Sequence, residues 1–367
     1  MKRFEALDAF RGMTIFFMII VNTPGDWRVT LSPLLHAQWH GFTPTDLVFP
    51  SFLFAVGNAL VFANRKWEGR PFAAYFGKVF RRTLILFLLG YFMYWIPFYK
   101  WTDTGSLIPI HISETRILGV LQRIALCYFA AALMIRFLSE RALWAWSAAI
   151  LLAYWLILSA FGDYTLEGNA ALKLDRFLLG EKHLYMGEGV PFDPEGLLST
   201  LPSIVNVLAG YLFGAYLVRG EIGYEKIAKT MLVGLALLLA AYVWDFGFPV
   251  NKKLWTSSYV LLTVGLDLLV MAAILYTTNL AARKVNYQFF LILGMNALFI
   301  YLLSEYLAIF MHFIRVEEGV SLFQYTYRTG FEWMGPYVGS LAFALAFTMV
   351  CWVAGWWLWI RSIYIKV

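Results

Sequence analysis

Ten stretches of mainly apolar residues, most about 20 residues long, follow one another along this 367-residue chain, and that series leaves little choice of fold. A helix of about 20 residues, rising 1.5 Å per residue, matches the hydrocarbon thickness of a bilayer. Within lipid each backbone N–H and C=O must be satisfied inside the segment, which a helix achieves. The stretches lie at roughly 10–22, 44–64, 79–98, 117–137, 142–161, 201–218, 229–247, 255–276, 288–307 and 335–359. They predict an all-α, polytopic integral membrane protein of about ten transmembrane helices, read as one domain over 1–367. Only 14% of the residues are charged, against roughly 25% in soluble domains. The first stretch is short, but Glu5 and Asp8 lead into it and no A-x-A-like site follows Val21. It reads as an uncleaved helix rather than a signal peptide. Cys127 and Cys351 sit in apolar runs without C-x-x-C spacing and read as small core residues.

Orientation follows from the cations, which concentrate on the cytoplasmic side of membrane proteins. With the N-terminus inside, eighteen Lys and Arg face inward, among them Lys2, Arg3 and Lys366, and ten face outward. The expected topology is N-in and C-in. The net charge of +6 then belongs to orienting loops and lipid headgroups, not to nucleic acid. All five histidines, His36, His40, His111, His183 and His312, fall on the outer side. So does the longest loop, about 162–200, whose Phe177, Leu178 and Phe192 predict order.

Ionisable groups at membrane depth are costly and point to function by default. Arg123 is expected six residues inside the fourth helix, about 9 Å below the outer boundary, next to Gln122. Asn22 closes the first helix and Asp46 opens the second. Asp267 and Asn296 lie mid-helix, and Glu305 nearer the outer end. Singly, each reads equally well as a structural partner between helices. Together, Asn22, His36, Asp46, Gln122 and Arg123 place a base, a carboxylate, a cation and amide donors in one outer layer, the parts that acyl transfer needs. His36-x-x-x-His40 has the spacing of a metal pair, but Gly41 and Pro44 break any helix there and no further ligand is suitably spaced, so no metal is expected. On the inner side, Arg11, Lys78, Arg81 and Arg82 serve either as membrane anchors or as a cradle for cofactor phosphates. No G-x-x-x-x-G-K-[ST] or G-x-G-x-x-G occurs, so nucleotide hydrolysis and dinucleotide redox chemistry have no support.

A series of short stretches carries a resemblance. They are Leu7-Asp8-Ala9-Phe10-Arg11-Gly12, Val21-Asn22, His36-Ala37-Gln38-Trp39-His40-Gly41, Asp46-Leu47-Val48-Phe49-Pro50 and Arg116 through Arg123. Then come Asp175 through Gly180, His183-Leu184-Tyr185, Asp193-Pro194-Glu195-Gly196, Asn251-Lys252-Lys253-Leu254-Trp255, Ser258-Tyr259-Val260 and Gly294-Met295-Asn296. In this order the chain resembles the heparan-α-glucosaminide N-acetyltransferase family, in its bacterial branch. The resemblance implies ten to eleven helices, often a homodimer, and transfer of an acetyl group from acetyl-coenzyme A (acetyl-CoA) across the membrane to the amine of a terminal glucosamine. It implies that His36, in His-x-x-Trp-x-Gly, is the catalytic histidine. His40 stands where the family commonly has Asn, which bears on acceptor choice. A looser resemblance, Leu-Asp-x-x-Arg-Gly and Asp-Leu-x-Phe, reaches the broader membrane O-acyltransferases.

The expected site follows. His36 acts as general base or transient acetyl carrier, with Asp46, Asn22 and Arg123 beside it. Gln122 and Arg123 position the thioester, the inner cations hold the cofactor phosphates, and Trp39, His40, Asp193 and Glu195 meet the sugar. An O-acyltransferase acting on a cell-envelope glycan uses the same parts. An amino-sugar transporter using Asp267, Asn296 and Arg123 is the rival of another class, but repeated halves are not found.

Overall fold

The computed structural model describes residues 4–67, 69–102 and 104–365; Lys2, Arg3 and Lys366, counted above as inner-side cations, lie outside the described residues. Among the described residues thirteen α-helices carry the fold. They are α1 (Glu5–Asn22), α2 (Val48–Arg65), α3 (Phe72–Trp95), α4 (Val120–Phe137), α5 (Glu140–Phe161), α6 (Ala170–Leu179), α7 (Leu197–Leu217), α8 (Tyr224–Asp245), α9 (Ser257–Leu275), α10 (Gln288–Met295), α11 (Ala297–Phe313), α12 (Leu322–Gly330) and α13 (Pro336–Ile360). Two small antiparallel hairpins, Tyr99–Trp101 with Leu107–Pro109 and Arg315–Glu317 with Val320–Ser321, sit in loops.

By length and composition, seven of the helices can cross a membrane: α2, α4, α5, α7, α8, α9 and α13. The α10–α11 pair makes an eighth if it counts as one span. Helices α1 and α3 supply the other two expected crossings in length, but each carries three charges, Glu5, Asp8 and Arg11 in one and Lys78, Arg81 and Arg82 in the other. The expected continuous helix at 288–307 is corrected: the chain bends by 81° between α10 and α11. Asn296 sits at the bend and its side chain turns to the C-terminal segment, donating to the Ile363 carbonyl at 3.0 Å and accepting from the Ile365 amide at 2.9 Å. A second correction concerns depth. Helix α4 starts at Val120, so Arg123 lies about 4.5 Å into the helix rather than about 9 Å.

Helices α2 and α7 pack backbone to backbone. A Cβ on Gly57 would lie 1.9 Å from the Val207 carbonyl oxygen, and one on Gly210 would lie 2.0 Å from that of Phe54. Small residues at such crossings permit the approach that dispersion needs where no hydrophobic drive acts between helices. Helices α5 and α8 bury least and form the periphery, while Phe72, Phe76, Phe80, Leu84, Leu88 and Phe92 expose one stripe of α3 at i, i+4 spacing.

Loops gather at the two ends of the bundle. At one end the Trp39 indole donates to the Tyr164 carbonyl (2.7 Å), His183 Nδ1 meets the Thr115 carbonyl (2.8 Å) and Lys253 donates to the Gln38 carbonyl (2.7 Å). At the other, Arg136 donates to the Arg70 carbonyl at 3.0 Å and Arg219 pairs with Glu140. The 162–200 loop has the expected order, but of the residues read as its anchors only Phe192 packs, with Leu172 and Leu184 against Leu254, while Phe177 and Leu178 are exposed.

Candidate active site

His36 lies in the loop between α1 and α2, and the turn that follows fixes its surroundings. Pro44 opens a short 3-10 turn, Pro44–Leu47, and Thr43 and Asp46 close a capping box around it. Asp46 Oδ2 accepts from the Thr43 amide (3.0 Å), the Thr43 hydroxyl (3.0 Å) and the Ala37 amide (3.2 Å). The Tyr259 hydroxyl pins the Asp46 backbone carbonyl at 2.6 Å. Oδ1 remains, and it lies 2.7 Å from His36 Nδ1. An ionised carboxylate only accepts, so Nδ1 carries the proton and the lone pair resides on Nε2. The two side chains differ in access, His36 being 41% exposed and Asp46 1%.

Lys252, on the loop between α8 and α9, completes this group. Its Nζ lies 2.8 Å from His36 Nδ1, 3.2 Å from Nε2 and 3.6 Å from Asp46 Oδ1. Desolvation lowers the His36 pKa below its ordinary 6.5, against the hydrogen bond to Asp46 and with help from the Lys252 charge. Desolvation likewise lowers Lys252, against Asp46 and Glu195. An ammonium in contact with a ring disfavours a second positive charge there, so the imidazole is neutral at neutral pH.

Arg116, just ahead of α4, anchors the second half. It donates to Asp193 at 2.9 and 2.6 Å and to Glu195 at 2.5 Å, and it stacks between Tyr94 and Tyr185 with centroid distances of 5.0 and 4.8 Å. Burial pushes the Asp193 carboxyl up against the pull of Arg116, whereas burial of Glu195 is outweighed by Arg116, Arg123 and Lys252, which hold it down. Glu195 joins the halves, since it acts electrostatically on both His36 and Lys252. Arg123 is fully buried under the Trp255 ring at 4.8 Å, donates to the Gly196 carbonyl at 3.2 Å and meets Ser199 Oγ. Its Nε and Nη1, and both amide atoms of the buried Gln122, have no protein partner. A buried polar atom left unpaired costs about 1–3 kcal/mol, so these atoms suit a ligand that supplies the missing partners.

The other expected residues are placed as follows. Asn22 donates to Glu305 at 3.2 Å. Trp39 packs on Phe192 with centroids 5.6 Å apart and ties its loop to Tyr164. His40 faces Asn251 Nδ2 at 3.4 Å. Asp193 and Glu195 are committed to Arg116, leaving Glu195 13% exposed and Asp193 buried. At the far end Arg11 donates to the Gly294 carbonyl and pairs with Asp8 at 2.8 Å, Lys78 lies 5.7 Å from the Trp67 ring and Arg82 4.8 Å from that of Tyr128. Arg81 is exposed. Asp267, mid-bundle, is buried beside Ser51. Among the described residues no three His, Cys, Asp or Glu side chains are grouped to hold a metal ion. Sequence reasoning gave no role to Lys252 or Arg116, although both lie in the stretches quoted above. Their signal was available as cations on the side where cations are sparse.

The family described as heparan-alpha-glucosaminide N-acetyltransferase, catalytic, matches residues 3–242. The human heparan-alpha-glucosaminide N-acetyltransferase is 28% identical, over 83% of this chain and 53% of that protein. The mouse protein of the same name is 27% identical, over 83% of this chain and 54% of its own length. The chain thus spans about half the length of these curated relatives.

Proposed function

The chain belongs to the heparan-alpha-glucosaminide N-acetyltransferase family, and from that membership we propose that it is a transmembrane acetyltransferase. It passes an acetyl group from acetyl-CoA, on the cytoplasmic side, to the amine of a terminal glucosamine or similar amino sugar on the outer side. The observation that carries this reading is the His36–Asp46 pair at 2.7 Å, an accessible imidazole oriented by a buried carboxylate at the rim of the bundle.

Asp46 holds His36 in the tautomer with Nε2 unprotonated, as the third member of a catalytic triad does. His36 Nε2 accepts the proton that the sugar nitrogen sheds on attack and returns it to the departing thiolate. The same nitrogen can instead attack the thioester and carry the acetyl group, which gives ping-pong kinetics. The unpaired N–H groups of Gln122 and Arg123 suit the thioester oxygen, where hydrogen bonds strengthen as charge develops. Lys78, Arg81 and Arg82 at the other end suit the cofactor phosphates, while Arg11, held on Gly294 and Asp8, is better explained as a clamp between α1 and α10. This reading has ten crossings, with α1 and α3 included, both termini inside, in a bacterial cytoplasmic membrane. A homodimer follows from the resemblance alone.

The test is transfer of label from acetyl-CoA by the purified protein to a panel of glucosamine-terminated acceptors. N-acetylated product is expected. Label found only on hydroxyls of amine-free glycans would replace this reading with O-acyl transfer.

A further inference from the structure

An amine that is to hand a proton to His36 must stand within about 3.2 Å of Nε2, the nitrogen that holds the lone pair, and an amine of the protein stands at that limit. Lys252 Nζ lies 2.8 Å from Nδ1 and 3.2 Å from Nε2. Its side chain is only 17% exposed. The loop that carries it is fixed: the Leu254 amide donates to Asn251 Oδ1 at 2.8 Å and the Asn251 amide to Thr256 Oγ1 at 3.0 Å. The neighbouring Lys253 is taken up elsewhere, by Glu188 at 2.5 Å and the Gln38 carbonyl at 2.7 Å. Lys252 also pairs with Asp46 Oδ1 at 3.6 Å, an oxygen that His36 Nδ1 already meets at 2.7 Å. The lysine therefore lies closer to the base than to the acid, and touches both.

We propose that Lys252 Nζ occupies the seat of the acceptor amine, and that when no acceptor is present Lys252 takes the acetyl group itself. The inference rests on acetyl transfer from acetyl-CoA as proposed above. The neutral amine of Lys252 attacks the thioester carbonyl, the carbon–nitrogen bond forms and the carbon–sulfur bond breaks. The proton lost from Nζ passes to His36 and then to the leaving thiolate, giving free coenzyme A and an amide. Asp46 and Glu195 favour the ammonium form, and burial with Lys253 favours the reactive amine, burial being the largest influence. Acetylated Lys252 is uncharged and keeps its added bulk beside His36. The site then closes when the donor is plentiful and the acceptor scarce, and an arriving acceptor protects it by displacing Lys252.

Full-length wild-type protein is incubated with acetyl-CoA, with and without saturating glucosamine, and acetylation at Lys252 and Lys253 is followed by peptide mass spectrometry. Acetylated glucosamine is measured in the same samples. Lys252 should gain one acetyl group and Lys253 none, glucosamine should suppress the modification, and His36→Ala should slow it by about a hundredfold or more, the usual scale of general-base catalysis. If glucosamine is acetylated while Lys252 stays unmodified, or if both lysines react equally whether or not glucosamine is present, the proposal is wrong and the acetyltransferase reading stands. If neither glucosamine nor Lys252 receives an acetyl group, the acetyltransferase reading falls and this proposal falls with it. The glucosamine comparison uses wild-type protein, so it decides the matter even if His36→Ala fails to fold.

Discussion

At Asp46, five contacts within hydrogen-bond or ion-pair range converge on one carboxylate, from Ala37, both donors of Thr43, His36 and Lys252. The residue builds the turn and orients the His36 ring at once. His36→Ala is expected to lower turnover by 10²–10⁴-fold, the usual general-base contribution, and to leave acetyl-CoA binding largely intact. More than about a tenth of wild-type turnover would remove His36 from the base role. Asp46→Asn keeps the shape but can donate as well as accept, so Nδ1 need no longer hold the proton. It should cost about a hundredfold or more in kcat, with helix content by circular dichroism as the control. The pH profile follows from the direction of the His36 shift. His36 works when neutral and its pKa lies below 6.5, so activity is full near neutrality and falls as pH drops through a midpoint below 6.5. Lys252 is one of the influences that hold His36 down, and Lys252→Met should move that midpoint upward. A midpoint that stays put would mean the ammonium does not act on the ring.

At the scale of elements, α2 joins the site to the packing of the bundle, because Asp46 lies in the turn that leads into it and Gly57 lies further along the same helix. Gly57→Ala places a methyl group 1.9 Å from the Val207 carbonyl oxygen, and backbone cannot yield as a flexible side chain can. The α2–α7 crossing must widen, at a cost of about 1–3 kcal/mol or more for overpacking. A lower thermal midpoint in detergent is expected, and an unchanged midpoint would show that the helices stand further apart. Hydropathy was enough to locate the seven helices that can span by length and composition, because a spanning helix satisfies its own backbone and is a local object. It missed the break at Asn296 because 288–307 is mainly apolar on both sides of that residue. The bend belongs to hydrogen bonds with Ile363 and Ile365, far along the chain. The same holds for the site. His36 and Asp46 are ten residues apart and were legible together, whereas Lys252 meets His36 across 216 positions and composition carries no trace of that meeting.

For the whole molecule, the side of the membrane on which His36 stands is tied to the side on which the 162–200 loop stands. The Trp39 indole donates to the Tyr164 carbonyl and Lys253 bridges the Gln38 carbonyl to Glu188, so the histidine loop and the long loop share one end of the bundle. A single label in the long loop therefore reports the side of both. Gly168 itself is a poor place for it, since a Cβ there would lie 2.3 Å from the Asp163 carboxylate. Glu167 beside it is exposed. The native cysteines, Cys127 and Cys351, are buried and free, so the parent protein gives little background. In intact cells Glu167→Cys should react with a membrane-impermeant maleimide, and membrane rupture should add nothing. Reaction only after rupture would turn the molecule over. His36, Lys252 and the Arg116 cluster would then face the cytoplasm, the inner cations would face outward, and acetyl transfer across the membrane would lose its geometry, because base and donor would enter from the same side.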